Sequence, residues 1–112
     1  MTNCKSVSDV LEYYNQQLVP VLAAATVVDD QFPIEVLNEI RSAMTHIARA
    51  DKLSLEDQTY DLDSAFRHLQ RAVLDAAKTG IAGLAKRCDD AINFLEQDYR
   101  LPPRVFTEIT GL

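Results

Sequence analysis

A chain of 112 residues with a net charge of −6 is long enough for one domain with a modest core. Its charge argues against a broad nucleic-acid-binding surface, which needs a basic footprint. Apolar residues make up 47% of it, Trp is absent, and Gly and Pro are scarce, so the expectation is an aliphatic core between helices, not an all-β fold. Cys4 and Cys88 form no CxxC pair, no apolar run approaches a membrane span, and Met-Thr-Asn-Cys-Lys carries no secretion pattern; together these read as a cytoplasmic protein with no membrane contact.

A first helix is expected from a Ser6 or Ser8 cap, with Val7, Val10, Leu11, Tyr14, Leu18, Val21, Leu22 and Ala25 at helical spacing. Pro20 sits inside this pattern and predicts a kink or a break near Val19. Tyr13-Tyr14 reads as core plus rim, not as a base-stacking platform. Asp29-Asp30-Gln31 makes the connection. Pro33 suits the first turn of a second helix, with an apolar stripe of Ile34, Leu37, Ile40, Met44 and Ile47, running to about Lys52. Ser54 to Gln58 is a polar connection. A long third helix follows, because Leu62, Phe66, Leu69, Val73, Ala76, Gly80, Leu84, Cys88, Ala91, Leu95 and Tyr99 advance by three or four residues throughout.

Gly80 and Gly83 either split this helix or mark a close helix crossing; continuity is favoured because the stripe keeps phase across both. Pro102-Pro103 stops it, which gives a single helical-bundle domain over 1–103 and a C-terminal tail over 104–112. No internal repeat is evident. The fold class is all-α: an antiparallel helical bundle with one long C-terminal helix. That helix needs cover along its length, and a homodimer that completes the bundle is the simplest remedy; a split at the glycines would instead allow a compact four-helix monomer.

Candidate chemistry gathers in two Arg/His segments, Glu39-Ile-Arg41-Ser-Ala-Met-Thr-His46-Ile-Ala-Arg49-Ala and Phe66-Arg67-His68-Leu-Gln-Arg71-Ala. His46 is flanked one turn away by Ala43 and Ala50, and His68 by Ala65 and Ala72. Small residues allow close backbones, so the two imidazoles are expected near each other if these helices pack along those edges. Arg41 and His46 diverge by about 140° around the helix, so they make one site only with a second element. Glu35, Glu39, Asp61 and Asp75 are available as ion-pair partners, which is the bland alternative to a site. In the chemical alternative, His serves as general base or acid and Arg holds a phosphate, which together cleave RNA through its 2′-OH. Neither a phosphate loop, a zinc set nor a Glu-x-x-His di-iron pattern is present, so no metal or cofactor is expected.

Arg41-Ser-Ala-Met-Thr-His46, an Arg with a polar residue after it and a His within a few positions on a helical bundle, resembles the HEPN superfamily. The likeness runs from about Ile34 to Lys78 and looks like small bacterial HEPN-like proteins. It implies a dimer with a composite groove and roles in RNA cleavage, toxin–antitoxin pairs or phage defence. By this resemblance Arg41 is the phosphate-binding residue and His46 the catalytic one. An RNA-directed chain of this acidity would need a local basic groove, for which Arg41, Arg49, Arg67 and Arg71 are the candidates, with His68 beside them on the RNA. Ala48 stands where some toxin members have a Tyr. Two functions remain open: an RNA-directed protein, as a metal-independent endoribonuclease if catalytic, and a non-catalytic homodimeric interaction module or accessory subunit that addresses a protein partner.

Overall fold

The computed structural model describes residues 6–28 and 32–98. Helix α1 spans Val7–Tyr13, a π-helical turn Tyr14–Leu18, α2 Val19–Val28, α3 Ile34–Asp51 and α4 Thr59–Asp98. They pack as an antiparallel all-α bundle of three arms, the first arm being α1, the π turn and α2 in one continuous run.

Ser6 caps the first arm. Its Oγ accepts the Asp9 N–H at 3.2 Å, and the Asp9 carboxylate sits at the positive end of the helix. Pro20 does not break the arm. A proline offers no N–H and its ring crowds the carbonyl four residues back. The chain answers with one wide turn just before it, in which Val19 N–H reaches five residues back to Tyr14 O. Val10, Leu18 and Ala25 of this arm are buried.

The face that α3 buries differs from the expected stripe. Val36, Ala43, Ile47 and Ala50 are in the core and Ile40 packs at its edge, while Ile34, Leu37 and Met44 are exposed. Side-chain size is a poor guide here, because α3 turns its small residues to α4, where Ala65 and Ala72 are also fully buried. The two backbones thereby come close. Pro33 precedes the first turn as the cap residue, with φ −70° and ψ 117°. At the far end Gln58, itself buried, folds back. Its amide donates to Ala50 O at 2.8 Å and Leu53 O at 3.3 Å, tying the residue before α4 to the last turn of α3 and to the turn that follows it.

Helix α4 is continuous, so the split at the glycines does not occur. Its 40 residues extend about 60 Å, and the molecule measures 68 × 26 × 16 Å. Helix α3 runs antiparallel to it and the first arm runs parallel. Tyr13 meets Phe66 edge to face, with ring centroids 4.7 Å apart. Farther along, Ala25 meets Gly80, where an added Cβ would lie 3.5 Å from the Ala25 Cα. At Gly83 it would lie 3.0 Å from the Val28 carbonyl oxygen. The glycines therefore mark a close crossing. Arg87 seals it by donating from Nε to Val28 O at 3.1 Å and from Nη2 to Val27 O at 2.8 Å, a cation on the negative end of α2.

Cover along α4 is uneven. Helix α3 begins level with about Val73, and α2 ends beside Arg87. Beyond that point no described residue packs over α4. The radius of gyration, 20.3 Å, contrasts with about 13 Å for a compact domain near this length. Cys4, Tyr99 and the tail over 104–112 lie outside the described residues, as does the boundary at 103. No described helix is long and apolar enough to cross a membrane.

Candidate functional site

The close approach of α3 and α4 places two polar pairs at its edge. His46 of α3 meets Asp61 of α4, Nδ1 to Oδ1 at 2.8 Å. His68 of α4 meets Glu39 of α3, Nδ1 to Oε1 at 2.6 Å. Each pair is a crossed brace between the helices. The two imidazole planes lie 18° from parallel with centroids 5.6 Å apart, as expected if the alanine-flanked edges pack together. Tyr60 stands on the rim, its ring 6.2 Å from that of His46 and steeply inclined to it.

A carboxylate oxygen can only accept, so each Nδ1 carries the proton and donates it. In the neutral ring that fixes the tautomer and leaves a lone pair on Nε2, whereas in the protonated ring both nitrogens donate. No buried side-chain nitrogen or oxygen lacks a partner among the described residues, and the rings bond through Nδ1, so both Nε2 atoms reach solvent. The His46 and Asp61 side chains are 17% and 11% exposed, and those of His68 and Glu39 23% each. The pairs are thus shielded enough to matter and open enough to touch a ligand. Chemically, the arrangement offers two oriented bases side by side. Among the described residues no group of three or more His, Cys, Asp or Glu side chains is placed to hold a metal ion.

The arginines divide. Arg49 and Arg71 each follow a site histidine by three positions, and Arg67 precedes His68. All three are exposed. Arg41 is exposed on the outer side of α3 beside Asn38, Met44 and Thr45, turned away from the histidine pair. Among the described residues none of these four guanidinium groups has a carboxylate partner.

Contrary to the sequence reading, the chain does contain an internal repeat. Glu39-Ile-Arg-Ser-Ala-Met-Thr-His-Ile-Ala-Arg-Ala50 and Asp61-Leu-Asp-Ser-Ala-Phe-Arg-His-Leu-Gln-Arg-Ala72 share Ser42/Ser64, Ala43/Ala65, His46/His68, Arg49/Arg71 and Ala50/Ala72 at identical offsets. An acid, two large apolar positions and a branched residue after the His also correspond. Each copy carries a carboxylate seven residues before its histidine, two turns away on one edge. Packed antiparallel, each carboxylate meets the other copy's histidine, so the site has a local two-fold axis. The same signal identifies Glu39 and Asp61, of the four acids available, as the partners.

No family model, curated protein or solved structure matches this chain.

Proposed function

We propose that the α3–α4 hairpin acts on RNA, as a HEPN-like, metal-independent endoribonuclease. The observation that supports this reading is the pair of imidazoles, each anchored through Nδ1 to a carboxylate with Nε2 open to solvent. A carboxylate behind an imidazole is the arrangement that orients a general base and stabilises its charged form. One Nε2, that of His46, takes the proton of a ribose 2′-OH. The oxygen attacks the adjacent phosphorus, the bond to the 5′-oxygen breaks, and the protonated His68 returns a proton to that leaving oxygen. The products are a 2′,3′-cyclic phosphate and a 5′-hydroxyl. Arg49 and Arg71, with Arg67 beside them, hold the phosphate as it gains charge. Arg41, the phosphate ligand by family resemblance, would reach such an RNA only from another chain. The substrate class and a place in a toxin–antitoxin or defence system rest on that resemblance.

The test is cleavage of single-stranded RNA in excess EDTA. Wild type should cut RNA and spare DNA of the same sequence, and His46→Ala or His68→Ala should lower the rate by at least about 100-fold, the usual contribution of one acid–base group. An inert wild type, or variants that cut as well as wild type, removes the catalytic reading.

A second reading, a non-catalytic interaction module, draws on a different observation. Much of the apolar surface of α4 is exposed, including Leu74, Ile81 and Leu84. An inert but self-associating wild type favours this module.

A further inference from the structure

The uncovered half of α4 carries a second pattern, distinct from the face that packs on α3. Leu74, Ala77, Ile81, Leu84, Cys88, Ala91 and Leu95 follow one another by three and four residues in strict alternation, the a/d spacing of a coiled-coil seam over three heptads. Continued backwards the spacing falls on Gln70, Arg67 and Asp63, and forwards on Asp98, so the seam has polar ends. It starts where α3 stops. Leu74 is 55% exposed, Ile81 70%, Leu84 55% and Leu95 36%. A shallow groove of about 320 Å³ runs beside it, walled by Val21, Ala24 and Val28 of α2 and by Ala77, Ile81 and Leu84 of α4. Past Arg87, the helix overhangs with nothing on it among the described residues.

We infer that this seam is the interface of an antiparallel homodimer, in which the α4 overhang of each copy lies in the α2–α4 groove of the other. The occupant is a second copy because the seam is complementary to itself when reversed. With the two-fold axis between Leu84 and Cys88, the layers are Ile81 against Ala91 of the second copy, Leu84 against Cys88, and Ala77 against Leu95. Each of these layers sets a larger residue on a smaller one and occurs twice, and the same register puts Leu74 opposite Asp98 at each polar end of the seam. A parallel pairing sets Leu on Leu and Ala on Ala and leaves both grooves open. The antiparallel one fills them with the overhangs. Charge permits it: α2 carries no charged residue, and Asp75 and Lys78 balance on the groove half of α4, so the acidic overhang meets no net like charge. Burying the seam and its flanks from both copies removes on the order of 1,000 Å², where specific interfaces begin. The inference uses a different face of α4 from the histidine pair and does not depend on RNA chemistry.

The experiment uses the full chain with Cys4→Ser. Light scattering at tens of micromolar should give about twice the 12.5 kDa chain mass. Ile81→Glu with Leu84→Glu should give the single-chain mass with unchanged helical circular dichroism, because both side chains are exposed in the single chain. Under mild oxidation Leu84→Cys should cross-link two chains through Cys88 of the other copy, whereas Cys88 alone should not. A monomeric wild type, a dimer indifferent to the two glutamates, or efficient cross-linking through Cys88 alone, which a parallel seam predicts, overturns the inference. Loss of RNA cleavage with the dimer intact leaves it standing.

Discussion

The two halves of α4 solve the same problem in opposite ways. From Leu62 to Ala76 the helix meets α3 and the first arm through buried Ala65, Ala72 and Ala76, and the tight edge is pinned by two His–carboxylate pairs. From Ala77 onwards, among the described residues, it meets α2 around Gly80, Gly83 and Arg87 and then nothing. Small residues serve both halves. In the first they bring backbones together inside the chain, with polar groups fixing the register; in the second, Ala77 and Ala91 stay open on a seam. A helix can therefore be equally apolar along its length and yet be core in one half and surface in the other. What decides is how far its neighbours reach.

Three substitution sets sharpen that contrast, in order of expected effect. Ala65→Leu forces a large side chain between α3 and α4 and should cost about 3 kcal/mol, whereas Ala82→Leu on the open half should stay within about 0.5 kcal/mol. Urea unfolding measures both, and equal tolerance would mean that close packing is not what holds the first half.

Next, His46→Ala leaves the Asp61 carboxylate, in a residue 8% exposed, without its partner. A loss of about 2 kcal/mol is expected, with a coupling of about 1 kcal/mol to Asp61→Ala in a double-mutant cycle. The more exposed His68–Glu39 pair should couple less strongly. Additive losses at both pairs would show that the braces carry no cooperative energy.

The smallest effect lies at the crossing. Gly80→Ala meets only ordinary contacts and should stabilise by about 0.5–1 kcal/mol through helix propensity. Gly83→Ala gains the same propensity but presses on the Val28 carbonyl at 3.0 Å, so its melting temperature should not rise. An equal rise at both sites would break the account of the crossing.

Local signals made much of this legible in the sequence. The stripe residues on either side of Gly80 and Gly83 act over a few positions and favour the unbroken α4 that is found, whereas the sequence leaves the first cap open between Ser6 and Ser8 and puts Pro33 one position too far into its helix. The alanines flanking His46 and His68 announced a close edge. The buried face of α3 is not legible from side-chain size, because Ile34, Leu37 and Met44 outweigh Ala43 and Ala50, while burial is decided by the helix opposite. The choice of Glu39 and Asp61 over Glu35 and Asp75 depends on antiparallel register: Asp75 lies beyond the level where α3 begins, and Glu35 is exposed. Gln58 gave no signal, because its role is to reach the carbonyls of Ala50 and Leu53, which only the folded turn brings near.

The repeat carries a cost in specificity. Each helix holds both halves of the brace, so α3 of one molecule is chemically able to pair with α3 of another, Glu39 to His46 in both directions. The bundle avoids this exchange through its tether. Residues 52–58 keep α3 and α4 of one chain at an effective concentration on the order of millimolar, which unlinked copies at micromolar levels cannot match. Cutting or greatly lengthening that connection would remove the advantage. The turn held by Ser54, Asp57 and Gln58 thus acts as a proofreader of partner choice between two nearly interchangeable helices.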